Sequence, residues 1–321
     1  MTWKAVTGVL TMLAAASPAH GQDFPSRPVR MIVPFPAGGG ADIIARIYSQ
    51  KLAELWGQQV IIDNRGGAAG NIGSEIAAKA PPDGYTLYLG TMGTLTVNPS
   101  LYARLPFNVG RDFAPLTQLV AVHFVLVVHP SLPVRTTKEL IALAKTRPRQ
   151  INFSSSGAGG APHLAGELFK RLANVDVVHI PYKGSGPSFA DLLGGHVSLT
   201  FDSIVQSLPY IRDNRLRALA VLGTSRSPLL ADVPTMAESG VSGYELTNWF
   251  GLAVPVSTPK NIINRLHADI AGVSQTPDLR QKLLGMGAEP IVSAPEAFAV
   301  LIQAESLKWA RIIKEAGIKA E

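Results

Sequence analysis

The chain has no cysteine in its 321 residues. That excludes a disulfide framework, a thiolate metal site, an iron–sulfur cluster and a cysteine nucleophile. Charge is sparse too. Charged side chains make up 16% of the chain, against about 25% in an average globular protein, while apolar residues reach 46%. An intrinsically disordered chain has the opposite balance. The formal net charge of +6 is spread over small clusters, such as Arg27 with Arg30 and Arg212 with Arg215 and Arg217, without interleaved aromatics. This argues against a nucleic-acid partner. Several catalytic signatures are missing. There is no G-x-x-x-x-G-K-[ST] phosphate loop and no G-x-S-x-G elbow, and His123, His129, His179 and His196 lack metal-ligand spacing. Gly38 and Gly40 start a dinucleotide fingerprint, but Ile43 stands where its third glycine belongs. No cofactor is implied.

Long apolar runs are absent beyond the first segment. There, Lys4 precedes an uncharged stretch from Ala5 to Ala16, Pro18 breaks it, and Ala19-His20-Gly21 provides small residues before Gln22. Residues 1–21 read as a secretory signal peptide, because a membrane span needs about 20 apolar residues. The mature chain is expected in the periplasm of a Gram-negative source.

Glycine (30) and proline (24) are plentiful, and many follow short apolar runs. Val29–Val33, Val60–Ile62 and Tyr85–Leu89 predict strands, with a helix after Asp42 and another over Ile72–Ala80. This is the start of a parallel α/β sheet. Leu116–Val120 and Phe124–Val128 predict two further strands. A second α/β series follows: strands Ile151–Phe153, Val175–Ile180, Val197–Phe201 and Leu216–Leu222, with intervening helices. Trp249–Val254 predicts a last strand before a mostly helical C-terminus. The expected organisation is a first domain of residues 22–122 and 226–321, with 123–225 inserted as a second. Ligands in such sheets bind beyond the carboxyl ends of the strands.

Two of those ends are glycine-rich loops that open helices. Pro34–Ala41 leads to Asp42, and Ser154–Gly160 leads to His163. Free backbone N–H groups at a helix start attract anions. Each loop also admits a purely structural reading, as a turn or a helix cap. Asp42 stands where a carboxylate caps the helix, which favours organising the loop over touching an anion. His163, beside Leu164 and Leu168, reads as a packed, hydrogen-bonded histidine. Asp202 follows an apolar strand and needs partners, from a ligand or from nearby backbone. Trp249 and Phe250 read as packing between domains rather than as a ligand platform.

FPSRPVRMIVPFPAGGGADIIARI, VIIDNRGGAAGNIGSEIAAKAPPDGYTLYLG, NFSSSGAGGAPHLAGELFK, VVHIPYKGSGP, FDS, VPTMAESG and WFGLAVP occur in that order. Together with the signal sequence, they resemble the Bug family, the solute receptors of tripartite tricarboxylate transporters, over essentially the whole mature chain. The resemblance implies an α/β, two-domain periplasmic-binding-protein fold, type II-like, with the ligand in the cleft between domains. It implies a first jaw of Phe35, Ala37, Gly38, Gly39 and Asp42, with Thr91 and Thr94 beside it. It implies a second jaw of Ser155, Ser156, Gly157 and Gly159, with Tyr182, Lys183 and Asp202 at its floor. Pro162 departs from the small polar residues many members carry there and removes one backbone donor.

The expected function is a receptor, not an enzyme. It would bind a small organic acid by domain closure and deliver it to membrane transporter subunits. The expected state is a monomer. Di- and tricarboxylates, acidic amino acids, aromatic acids and neutral amides all remain open as ligands. A sensor presenting its ligand to a signalling partner needs the same closed form, and an enzyme acting on a carboxylate is disfavoured by the missing motifs.

Overall fold

A computed structural model describes residues 24–318. The signal-peptide segment lies outside the described residues. The first lobe begins with β1 (Val29–Val33), α1 (Gly40–Trp56), β2 (Val60–Asn64), α2 (Asn71–Ala78) and β3 (Thr86–Thr91). The five residues after Met92 coil as a π-turn over Gly93–Val97, followed by short helices α3 (Asn98–Leu101) and α4 (Val109–Asp112). β4 (Phe113–Val128) then runs into the second lobe. That lobe holds α5 (Thr137–Thr146), β5 (Asn152–Ser155), α6 (Ala161–Ala173), β6 (Val178–Pro181), α7 (Ser185–Leu193), β7 (Leu199–Ser203), α8 (Ile204–Arg212) and β8 (Arg217–Val221). The chain returns through β9 (Thr247–Pro255), α9 (Lys260–Ser274), α10 (Pro277–Leu284), β10 (Ala288–Pro290) and α11 (Pro295–Ala316).

Each α/β unit follows from local sequence. In α1 the apolar residues Ile44, Ile47, Tyr48 and Leu52 recur at helical spacing and are buried against the sheet. Burying each such side chain contributes roughly 1.5–3 kcal/mol. Gly57, at φ 62°, ends the helix in the left-handed conformation that glycine adopts without a Cβ penalty. In α5, Thr136 caps the helix by accepting from Glu139 N–H at 3.1 Å.

The strands form one continuous curled sheet in the order β2-β1-β3-β9-β4-β7-β5-β6, with β8 and β10 also paired to β4. Two sequence expectations change here. The segments Leu116–Val120 and Phe124–Val128 are halves of one 16-residue strand. The two α/β series expected as separate domains are joined through it into one sheet. Up to His123, β4 pairs with β9, and from Phe124 it pairs with β7. One strand therefore serves both lobes by changing partners. β1, β2 and β3 pair in parallel as expected, and the sheet becomes mixed beyond them, because β9 runs antiparallel to both β3 and β4. β10 was not expected from the sequence, being three residues that end in a proline.

The segment after β8 bonds back to that strand and to α6. Met236 N–H donates to Val221 O, Leu246 N–H to Leu222 O, and Tyr244 Oη to Ala165 O. Trp249 is buried edge-on against Phe298 of α11 inside the first lobe, with ring centroids 5.3 Å apart.

Candidate ligand-binding site

Four helices begin at the seam between the lobes. Gly40 and Ala41 of α1, Ala161 and Pro162 of α6, Ser185 of α7 and Ser203, the residue before α8, all line one small chamber. Its volume is about 40 Å³. None of these four helices has a side chain capping its first turn. Their dipole ends and the first-turn N–H groups that remain, Pro162 and Pro187 having none, lie around a common space. Phe35, Phe124 and Phe250 supply apolar wall, and Thr91, Ser156, Asp202 and Asn248 supply polar wall. Among the described residues, no basic side chain lines the chamber. Positive potential there comes from backbone alone.

The lobes are in contact across the seam. A Cβ on Gly40 would lie 2.7 Å from Ser203 Oγ, so a side chain there would have to displace that hydroxyl. Tyr102 Oη in the first lobe donates to Ala158 O in the second at 2.7 Å. A second cavity of about 230 Å³ lies beside the chamber and shares Phe35 and Ser156 with it. Its walls are the Gly67–Gly70 turn, Gly157, Ala158, Tyr182 and Lys183. Four consecutive residues of that turn have positive φ, including Ala68 (48°) and Ala69 (52°). Left-handed backbone at a non-glycine residue costs roughly 1–2 kcal/mol, and such outliers gather at ligand clamps.

The structure brings Phe35, Gly39, Thr91, Ser156 and Asp202 together at the chamber. Gly157, Tyr182 and Lys183 stand at the adjoining cavity. Tyr182 Oη donates to Asp191 at 2.5 Å, and burial together with that carboxylate pushes the phenol up to about 12. The remaining candidates are one step back. Ala37 and Gly38 are exposed on the outer lip. Gly38 N–H is taken by Asp42 Oδ2 at 2.9 Å.

Asp42 itself is buried and faces away from the chamber's lining residues. It accepts from Gly38 N–H, from Arg46 Nε at 2.9 Å and from Asn64 Nδ2 at 3.0 Å. Burial opposes its charge, but these partners outweigh it and hold the carboxyl below its ordinary value. Thr94 is fully buried and ties the turn after β3, accepting from Tyr88 Oη at 2.8 Å and Thr91 N–H at 3.1 Å.

The second loop is braced by a stacked histidine pair. Ser155 Oγ lies 2.6 Å from His179 Nε2 and accepts from Gly157 N–H at 3.1 Å. Gly159 N–H donates to His163 Nδ1 at 3.0 Å. The two imidazoles stack with centroids 4.1 Å apart. Burial first, and then His163 and Lys170, push His179 down to about 3, so it stays neutral. His163 is thus a packed, bonded histidine that also fixes the loop.

Sequence reasoning missed Ser185, Asn248 and the chamber-facing role of Phe250. Asn248 is 3% exposed, and its Oδ1 bonds no protein group. Its only sequence signal is the neighbouring WFGLAVP strand. Phe250, expected in packing between domains, lies at the seam between the lobes and also lines the chamber.

Residues 44–318 match the model of the tripartite tricarboxylate transporter family receptor. The chain belongs to that family. It is similar to the solved structure of Rpa4515 from R. palustris with adipate: 38% identity, a TM-score of 0.90, and 92% of this chain and 99% of that one covered. It is similar to the periplasmic binding protein BugD, with 33% identity, a TM-score of 0.90 and coverage of 93% and 100%. MatC (Rpa3494) from Rhodopseudomonas palustris with bound malate is 31% identical, with a TM-score of 0.86 and coverage of 90% and 100%. The fold is therefore the two-lobed periplasmic-binding-protein fold of this receptor family. The family consists of solute receptors, so the chain is a receptor and not an enzyme. Among the described residues, no helix is long and apolar enough to cross a membrane.

Proposed function

We propose that this receptor is exported to the periplasm, works as a monomer, captures one small organic acid in the chamber and delivers it to the membrane subunits of a tripartite tricarboxylate-type transporter. The observation behind the ligand class is the meeting of four uncapped helix N-termini in a space with no basic side chain. Such a site favours a carboxylate, because converging helix dipoles and backbone N–H groups stabilise a negative charge. Adipate and malate in two similar proteins support the same class.

In this reading one ligand carboxylate meets backbone N–H groups of Gly40 and Ala41, the hydroxyls of Ser156 and Ser185, and the Asn248 amide. The rest of the ligand extends past Phe35 toward Tyr182 and Lys183. Asp42, Thr94, Ser155 and Gly159 act through the loops they brace. For the moving units, we place the first crossing between His123 and Phe124. The return crossing sits near Thr247 rather than after residue 225, since 222–246 bond to the second lobe.

Native mass spectrometry of the purified protein, followed by a thermal-shift screen of organic acids, tests the reading. A ligand that binds only the folded form adds about 2.7 kcal/mol at 100 times its dissociation constant. A dicarboxylate is expected to give the largest shift. No shift from any acid, or turnover of the tightest-binding one, would contradict the proposal.

A further inference from the structure

We propose that capture is proton-coupled: the lobes close on an organic anion together with one proton from solvent, which sits on Asp202 and bridges it to the ligand. This rests on the reading of the chamber as an anion site. Asp202 is 3% exposed and is the only ionisable side chain among the described residues that line the chamber. Its Oδ1 accepts from Ser203 N–H at 2.6 Å, and its Oδ2 from Ser185 Oγ at 2.7 Å. Burial pushes the carboxyl up to about 6, with the two serines pulling it back and no charged group contributing.

The charged groups on the elements packed around Asp202 are engaged elsewhere. Asp191 of α7 accepts from Tyr182 Oη, and Arg212 ends α8 at its far side. On α6, His163 holds Gly159 N–H and Glu167 pairs with Lys170. On β4, His123 lines a separate cavity beside Leu229 and Gly287, and across the seam Asp42 pairs with Arg46. β5 has no ionisable residue.

A carboxylate entering this chamber meets a second carboxylate with no cation between them. Two such groups in one site cannot both stay ionised, and they share a proton. The balance is simple. Ligand carboxylate, Asp202 carboxylate and one solvent proton become a carboxylic acid hydrogen-bonded to a carboxylate. Oδ1 is committed to a fixed backbone donor. The proton therefore goes to Oδ2, whose partner Ser185 is a hydroxyl that can rotate and donate to the ligand instead. Opening the lobes returns the proton to water. Asp202 thereby sets specificity for acids over ligands that lack an acceptor for its proton.

The test is calorimetric titration of the mature chain with adipate, malate and aspartate from pH 5.5 to 8.5, in buffers of different ionisation enthalpy. Above about pH 6.5 the ligand carboxyls are fully ionised, so any uptake belongs to the protein. The expected result is uptake approaching one proton per bound diacid, with affinity falling up to about tenfold per pH unit at the alkaline end. Asp202→Asn, which presents an N–H where the protonated acid presents O–H, should bind with affinity independent of pH over that range. Diacid binding without proton uptake overturns the proposal alone. So does binding of aspartate with no diacid binding, because an ammonium would then be the partner of Asp202. No binding of any of these acids by folded wild-type protein overturns the reading of the chamber as a small-diacid site as well.

Discussion

The two jaws of the cleft perform one task with opposite electrostatics. In the first, an ionised network holds the loop: Asp42 bonds Gly38 N–H, Arg46 and Asn64 behind α1. In the second, two stacked imidazoles do so, with His163 bonding Gly159 N–H and His179 at 2.6 Å from Ser155 Oγ. Both arrangements fix a glycine loop while leaving the helix N-termini free toward the chamber. They differ in how they fail. A charged brace tolerates neutral and mildly acidic solution. The imidazole brace depends on His163 Nδ1 carrying no proton, because it accepts from Gly159 N–H.

The largest effect should come from keeping the jaws apart. Gly40→Val puts a side chain where Ser203 Oγ sits, and closure should fail. Carboxylate affinity should drop at least about 100-fold, or roughly 2.7 kcal/mol, with melting temperature little changed. Calorimetry and small-angle scattering with saturating acid check this. Retained affinity would mean that the seam opens without loss of the site.

Removing the imidazole brace comes next. His163→Ala leaves Gly159 N–H without its acceptor, at a cost of about 1–3 kcal/mol in stability. Affinity should fall as well, by about tenfold, because the loop that carries Ser156 loosens. Denaturant unfolding and titration separate the two effects. Equal affinity would show that Gly159 needs no fixing.

The pH profile sharpens the contrast. His179 has its folded value pushed below 6.5 to about 3, so the folded state binds fewer protons than the unfolded one in that window. Stability from this group is intact above 6.5 and falls as pH drops toward 3, by up to about 1.4 kcal/mol per unit. Asp202 works the other way. Its folded value is raised from 3.8 to about 6, so it favours the folded state below 3.8 and loses that contribution as pH rises through 6. The two offset each other in part between 6 and 3.8. In Asp202→Asn that offset disappears, and stability on acidification should decline more steeply than in wild type. Urea unfolding at a series of pH values reads the difference.

The smallest effects belong to the charged brace. Asp42→Ala should cost about 1–2 kcal/mol. Asp42→Asn should cost less and leave carboxylate affinity nearly unchanged, since the side chain bonds loop and helix rather than chamber. Arg46 is more than half exposed, so Arg46→Ala should cost no more than about 1 kcal/mol. A large loss of affinity in Asp42→Asn would place a ligand cation beside it.

Much of this geometry was legible in the sequence because it is local. A short apolar run, a glycine loop and a helical repeat fix where a helix N-terminus falls, and α1 and α6 could be placed from Gly38–Gly40 and Gly157–Gly160. The histidine at 163 could be read as packed from its leucine neighbours. What stayed hidden depends on tertiary partners. β4 reads as two strands because nothing in Ala121-Val122-His123 announces that one strand will exchange β9 for β7. Ser185 and Asn248 sit in unremarkable surroundings and become site residues only when four segments meet. Asp42 and Ser155 have the chemistry to bind a ligand, and only their full complement of protein partners shows them bracing loops instead.

The central claim is that a carboxylate is held by helix N-termini in a chamber without a basic side chain. A crystal structure of the mature protein with adipate, or with whichever acid gives the largest thermal shift, tests it most directly. The account predicts one carboxylate within hydrogen-bonding distance of backbone N–H at Gly40 or Ala41 and of Ser185 and Asp202. An acid bound instead through the Lys183 or Arg46 side chain, with the chamber empty of it, would contradict the account.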